Sequence, residues 1–254
     1  MDGEKTVYHF SVNSLDIEAR YYSRDIDEIF VPLSRQLDAM RKSSEGRVIV
    51  YLAGPCGAGK TTMSLLLEHL ANEHTGSFAQ AVGLDGFHHT AEYLSGHYIQ
   101  KDGKEILMRE VKGSAETYDF DKLYGKIAAL RRGDAYFPRY SRLAHDVEED
   151  AVFVSGQIVI IEGNWLLLDE PRWRGLSGFA DFRIFIGAPR EILVRRLIER
   201  KIAGGLCAEE AERFVVRSDL ENIDRILGRR LGCDLELEMD NDGKYKIIKE
   251  TKPK

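Results

Sequence analysis

An α/β fold with a parallel sheet at its core and helices on both faces is the fold class this sequence predicts. Three observations lead there. Short apolar runs recur at 48–52, 79–84, 158–161 and 182–186, as expected of strands buried on both faces of a parallel sheet. Segments with apolar residues at helical spacing alternate with them, at 63–70, 119–130, 189–202 and 208–227. Strands alternating with helices close into a three-layer sandwich. The third observation is the stretch Gly54-Pro55-Cys56-Gly57-Ala58-Gly59-Lys60-Thr61, set between the first run and the first of these helices.

The elements follow in order. Residues 1–46 read as an N-terminal accessory element ahead of a main domain over 47–254. Within it Ile26, Ile29, Phe30, Leu33, Leu37 and Met40 recur at helical spacing, and Pro32 is tolerable near a helix start or at a kink. Val48-Ile49-Val50-Tyr51-Leu52 is the first sheet strand. A second, Ala79–Leu84, ends at Asp85-Gly86-Phe87-His88-His89. The polar segment 95–118 reads as a loop-rich insertion. Asp119 can cap a helix through Leu123, Ile127 and Leu130, with Arg131-Arg132-Gly133 as its basic stop. Ile158-Val159-Ile160-Ile161 is an apolar strand that ends at Glu162. The chain finishes differently: Leu235–Met239, the turn Asp240-Asn241-Asp242-Gly243 and Tyr245–Ile248 predict a β-hairpin over about 234–249.

Composition bounds the function. The 254 residues carry a net charge of −6, so no global basic field recruits nucleic acid or an anionic membrane. Any anionic ligand must be met by local clusters. Cys56, Cys207 and Cys233 lack C-x-x-C spacing, which suits reduced thiols. The opening residues MDGEKTVYHF lack the apolar core of a signal peptide. No apolar run approaches the ~20 residues that span a bilayer. A cytoplasmic protein is the expectation.

Strand, glycine loop and helix form the context in which G-x-x-x-x-G-K-S/T becomes a phosphate cradle. Glycines at 54, 57 and 59 let backbone N–H groups around Ala58 converge on an anion, and the helix from Lys60, Thr61 and Thr62 onward adds its positive end. Lys60 supplies a point charge toward the terminal phosphates, and the Thr61 hydroxyl can ligate magnesium. The sequence therefore predicts binding of a nucleoside triphosphate, ATP with Mg2+.

Other candidates lie at strand ends, where ligands bind in open parallel sheets. Asp85 can take a proton from an attacking hydroxyl and help hold the metal, or can simply be the first residue of an Asp-Gly turn. Glu162, ending an apolar strand, needs a partner such as magnesium-bound water unless it is a solvated strand end. On helix 189–202, Arg196 and Arg200 share an arc with Ile192 and Leu193, which suggests a reach toward phosphate; Arg195, off that arc, belongs to the surface. Asp219 and Asn222 lie on the apolar side of segment 208–227, facing either a ligand or a neighbouring helix. His88-His89, His97 and His145 show no zinc spacing; His88 stands out beside Asp85.

Together these residues resemble the pantothenate kinase, uridine kinase and phosphoribulokinase branch of P-loop kinases. Asp85-Gly86-Phe87 is similar to the Asp-Gly-Phe of bacterial pantothenate kinases, whose aspartate acts as base. Lys112-Gly113-Ser114-Ala115-Glu116-Thr117-Tyr118-Asp119 resembles K-G-x-P-E-S/T-Y-D, with Ala115 in place of proline. Phe137–Asp146 resembles P-x-Y-S-H-L-x-Y-D, and Glu162-Gly163 the E-G that ends the next strand. Arg200 falls where that family has a phosphate-stabilising arginine, and Asn222-Ile223 where pantothenate kinase has a substrate-binding asparagine. Arg142 replaces a substrate-contacting histidine and Leu197 a substrate-side tyrosine, which changes the pocket's charge and hydrogen bonding. The run from Glu162 to Pro171 is similar to a bacterial nucleoside/nucleotide kinase-like, or fructose transport system kinase-like, group.

The resemblance implies a P-loop NTPase sandwich with a helical lid over about 189–207, and allows a homodimer. It implies γ-phosphoryl transfer from ATP to a hydroxyl of a small metabolite. Asp85 is then the base, Arg200 with Arg196 the lid, and His88, Tyr140, Arg142 and Asn222 the acceptor pocket. Thr61, Asp85 and Glu162 are the metal candidates. The rival expectation is a nucleotide-dependent switch that acts on a protein partner and phosphorylates nothing.

Overall fold

The computed structural model of the chain describes residues 3–12, 15–101 and 103–251. It opens with a hairpin, β1 (Lys5–Val12) and β2 (Leu15–Tyr22), which the sequence pattern does not reveal. A continuous helical stretch follows, from the short turn α1 (Ser23–Asp25) through a π turn (Ile26–Phe30) to α2 (Val31–Ser43). Pro32 lies inside this continuous stretch, where it has no N–H to donate, and the π turn immediately before it absorbs the irregularity. Ile26, Phe30, Leu33 and Leu37 are buried along one side, as their spacing predicts.

The strand β3 (Val48–Ala53) is buried along its whole length and leads through the glycine loop into α3 (Lys60–His74). After β4 (Ala79–Gly83) come a 3-10 turn (Leu84–Phe87) and α4 (Ala91–Gly96). The expected loop-rich insertion holds a small hairpin, β5 (Tyr98–Lys101) with β6 (Lys104–Leu107), and two 3-10 turns. Helix α5 (Phe120–Leu130) starts at the predicted cap: the Asp119 carboxylate accepts from the Lys122 N–H at 3.0 Å. A hairpin of β7 (Ala135–Ser141) and β8 (Asp146–Val154) follows.

The chain then supplies β9 (Ile158–Gly163), α6 (Pro171–Arg174), β10 (Phe182–Gly187) and α7 (Arg190–Ala203). The expected single helix over 208–227 is instead α8 (Ala208–Phe214), a π turn (Val215–Asp219) and α9 (Leu220–Gly228). Apolar spacing of three and four residues fits either form, so the inserted residue leaves no mark in the sequence. The predicted terminal hairpin is β11 (Leu235–Met239) with β12 (Tyr245–Glu250).

One six-stranded sheet runs in the order β12-β11-β10-β3-β9-β4. The pairs β11·β10, β10·β3 and β3·β9 are parallel, and β12 is antiparallel to β11. Alternation sends Val48, Val50 and Leu52 with Ile158, Ile160, Ile184 and Leu237 to one face, against Phe30, Leu33 and Leu37 of the N-terminal helix and Met63, Leu66 and Leu67 of α3. Ile49 and Tyr51 point to the other face, where the Tyr51 hydroxyl donates to the Leu176 carbonyl. Each such side chain removed from water contributes about 1.5–3 kcal/mol.

Contacts divide the chain into two compact units, and not at the boundary expected near residue 46. One holds the segments Glu18–Val82 and Gly156 onward together with the start of the chain; the other holds Gly83–Ser155 with the segment Ser11–Ile17. Helix α2 belongs to the first because Phe30, Leu33 and Leu37 complete the same apolar cluster as β3. Among the described residues no helix is long and apolar enough to cross a membrane.

The N-terminal segment is also tied to the far end of the chain, since an Asp25 carboxylate oxygen accepts from the Tyr245 N–H at 2.9 Å. Burial raises the Asp25 pKa above its ordinary 3.8, against the opposing pull of that N–H. A raised carboxylate pKa gives stability that is complete below 3.8 and lost as pH rises through the folded value. At neutral pH the charge is thus a burden, and an amide oxygen can accept the same bond. Asp25→Asn should raise the thermal midpoint at pH 7, with the difference closing as pH approaches 3.8. A midpoint lowered at pH 7 would contradict this account.

Candidate active site

The phosphate loop joins β3 to α3. Gly54 leaves the sheet where a β-carbon would lie 2.3 Å from the Ile186 carbonyl oxygen of β10, so the position admits no side chain. Gly57 and Gly59 have φ of +86° and +89°, in the left-handed region that favours glycine. Gly59 is the N-cap of α3, so the loop delivers its backbone to a helix N-terminus. The buried Lys60 ammonium reaches back to the Pro55 carbonyl at 3.0 Å and braces the loop from inside. Thr62 donates to the Gly59 carbonyl at 3.0 Å. The predicted triphosphate residues Gly54, Gly57, Ala58, Gly59, Lys60, Thr61 and Thr62 therefore form one shaped turn.

Register explains the next contact. Leu52 of β3 pairs with Glu162 of β9, which brings the strand-end carboxylate beside the start of α3. The Thr61 hydroxyl donates to Glu162 Oε1 at 2.8 Å. Two hard oxygen donors at this spot fit magnesium, which keeps several waters and takes only one or two protein ligands beside phosphate. Among the described residues no group of three or more His, Cys, Asp or Glu is placed to cage a metal.

Helix α7 carries the arginines. Ile192, Leu193 and Leu197 are buried and Arg195 is exposed, as predicted. Arg196 is half-buried, its Nη1 and Nη2 each 3.8 Å from where a Gly59 β-carbon would sit. Arg200 departs from the expected packing arc and is exposed, because the last turn of α7 outruns the core beneath it. Asn222 is buried on α9. One turn earlier, the Asp219 carboxylate meets the Lys201 ammonium at 3.4 Å, so this polar residue finds a helix partner.

Asp85 belongs to the other unit of the chain. It sits exposed in the 3-10 turn after β4, so a solute can reach its carboxylate. A Gly86 β-carbon would lie 2.2 Å from the Pro138 carbonyl oxygen, so the turn rests directly on the β7 backbone. The Tyr118 hydroxyl donates to Asp85 Oδ1 at 3.2 Å. His88 is buried, with its ring centroid 3.8 Å from that of Tyr118 and 6.2 Å from that of Tyr140. Its Nδ1 donates to the Asp85 carbonyl at 2.9 Å. Burial pushes the imidazole pKa below its usual value, although the Asp85 charge pulls the other way. Lys112 donates to the Tyr140 hydroxyl at 3.1 Å. Asp85, His88 and Tyr140 are thus gathered, whereas Arg142 projects, exposed, from the turn between β7 and β8.

Tyr118 and Lys112 were not among the predicted site residues, yet both lie in the K-G-x-P-E-S/T-Y-D-like stretch. That stretch pairs with the Asp85 turn through an isolated bridge between His88 and Tyr118. The motif was the available signal. Tyr21 and Tyr245, which flank Thr62 and Gly59, had none.

A strand, a glycine loop closed by Lys60 and a helix in a parallel sheet define a P-loop nucleotide-binding protein. Residues 49–205 match the phosphoribulokinase / uridine kinase family, and the chain belongs to that family of small-molecule kinases. Its relatives include YggC of Escherichia coli K12, 40% identical over 237 residues, 92% of this chain and 96% of the relative. C227.14 of Schizosaccharomyces pombe, provisionally named a uridine kinase, is 29% identical over 76% of this chain and 83% of its own. A solved structure from Silicibacter sp. TM1040, provisionally named a fructose transport system kinase, superposes with a TM-score of 0.73 at 30% identity. It covers 82% of this chain and 98% of that one.

Because the Asp85 turn has no room for a side chain at 86, Gly86→Ala forces the backbone to shift. A loss of about 1–3 kcal/mol in urea unfolding is expected. Unchanged stability would show that the turn does not bear on β7 as described.

Proposed function

We propose that the chain transfers the terminal phosphoryl group of ATP to a hydroxyl of a small metabolite, with Asp85 as the base. The observation that carries this reading is the Asp85 turn: an exposed carboxylate oriented by Tyr118, on a backbone that a glycine fixes. A nucleotide switch needs the loop but no such carboxylate.

The roles follow from the chemistry. Loop amides and Lys60 hold the β,γ-phosphates. Thr61 and Glu162 would hold magnesium, which would supply further neutralisation there. Asp85 accepts the hydroxyl proton as the acceptor oxygen bonds to the γ-phosphorus, and the bond to the bridging oxygen breaks to leave ADP. Arg196 and Arg200 offset charge on the moving group. The transition state is loose, so positioning and electrostatics do most of the work.

For the acceptor, His88, Tyr140, Arg142 and Asn222 supply polar contacts. Lys112 and Arg142 add positive charge that favours a polyhydroxylated or partly anionic molecule, such as a sugar, sugar acid or nucleoside. The names of the relatives put a nucleoside and fructose first in line for testing.

The experiment is ADP release with Mg-ATP across a panel of sugars, sugar acids, nucleosides and pantothenate. Stimulation by one panel member is expected. Asp85→Asn should lower that turnover at least ~10²-fold while leaving ATP binding intact, and Lys60→Ala should remove both. ADP release that ignores every acceptor and answers only to a protein partner would replace this reading with the switch.

A further inference from the structure

Arg196 has an unusual anchor. Its Nη1 donates to the Met239 Sδ at 3.0 Å, and it forms no ion pair with a carboxylate among the described residues. A thioether is a weak, neutral acceptor. It fixes where the guanidinium lies without cancelling its charge, whereas a carboxylate would do both.

The hairpin geometry delivers this anchor. Leu235, Leu237 and Met239 alternate along β11 and are buried on one face. Met239 pairs across the hairpin with Tyr245, whose hydroxyl lies 3.6 Å from the same Gly59 point that Arg196 approaches. Tyr245 is fixed in turn: its ring packs edge-on against Phe30 and stacks with Tyr21, and Asp25 holds its N–H. Met239, Tyr245, Tyr21 and Phe30 all lie outside the segment matched by the family.

We propose that Met239 and Tyr245 are positioning residues for the nucleotide. The C-terminal hairpin holds Arg196, with its charge uncancelled, at the phosphate loop, where it binds the anionic phosphates of a nucleoside triphosphate. The proposal rests on the reading of that loop as the ATP site, and adds a task for a hairpin otherwise explained by packing alone.

The test titrates β,γ-imido-ATP into the full chain and its Met239→Leu, Met239→Gln and Met239→Glu variants, with thermal stability followed in parallel. Leucine is nearly isosteric and should keep stability but weaken binding about fivefold, because the acceptor is lost. Glutamine restores a neutral acceptor and should bind within about twofold of the native chain, even at a lower thermal midpoint. Glutamate pairs with the guanidinium and should weaken binding more than ~10-fold in a folded protein. Packing alone predicts the reverse order, leucine tight and glutamine loose, and that order overturns the proposal. If the native chain binds the analogue, Lys60→Ala does not, and all three Met239 variants match the native chain, the hairpin proposal alone falls. If the folded native chain does not bind the analogue, the ATP reading falls with it.

Discussion

The close approach of residue 54 to the Ile186 carbonyl is the constraint on which the phosphate loop depends. A β-carbon there has nowhere to go, so β3 and β10 run together to their ends and the chain turns sharply between them. Gly57 and Gly59 then carry the backbone through left-handed conformations to the start of α3. From the other side, β9 supplies Glu162 to the Thr61 hydroxyl. The two strands that flank β3 therefore constrain the loop at both of its ends, residue 54 and Thr61. A loop held this way needs little reorganisation to receive phosphate, and binding on rigid elements keeps that geometry.

The terminal segments extend the same logic. Tyr21 lies beside Thr62 and Tyr245 approaches Gly59, so the first hairpin and the last one both reach the loop. Burial raises the Tyr21 pKa far above that of a free phenol and pushes Tyr245 up to about 12, although the Arg196 charge pulls both down. Both rings stay neutral at any ordinary pH, so they can crowd an arginine without titrating against it. Residues 18–46 are consequently part of the nucleotide-binding unit and not an appendage to it.

Much of this was legible in the sequence, for physical reasons that differ by element. The sheet strands showed because strands buried on both faces must be apolar throughout, and β3 and β9 are buried at every position. The Asp119 cap and the loop glycines showed because few residue types satisfy those backbone positions. The hairpin β1–β2 did not, since its strand β1 alternates between exposed and half-buried residues such as Lys5, Tyr8 and His9, with no continuous apolar run. Nor did the π turns, which preserve the apolar side chains while shifting their phase. Arg200 was misplaced because helical periodicity knows the direction of a side chain but not where the core beneath it ends. The division of the chain at 83 and 155 was hidden for a related reason: composition does not change there, only the partners do.

Charge pairing separates structural cations from those left able to attract an anion. Arg190 forms a two-point contact with Asp224, Arg225 with Glu170, and Arg230 an ion pair with Glu236. Each of these carries a carboxylate that offsets its field. At the loop the pattern changes: Lys60 is held by a carbonyl and Arg196 by a thioether. In the other unit Lys112 is held by the hydroxyl of Tyr140 and lies over its ring at 4.6 Å. Neutral acceptors orient these groups and leave their charge available. In a chain of net charge −6, which offers no long-range attraction to a phosphate, such local choices of partner decide where an anion is bound.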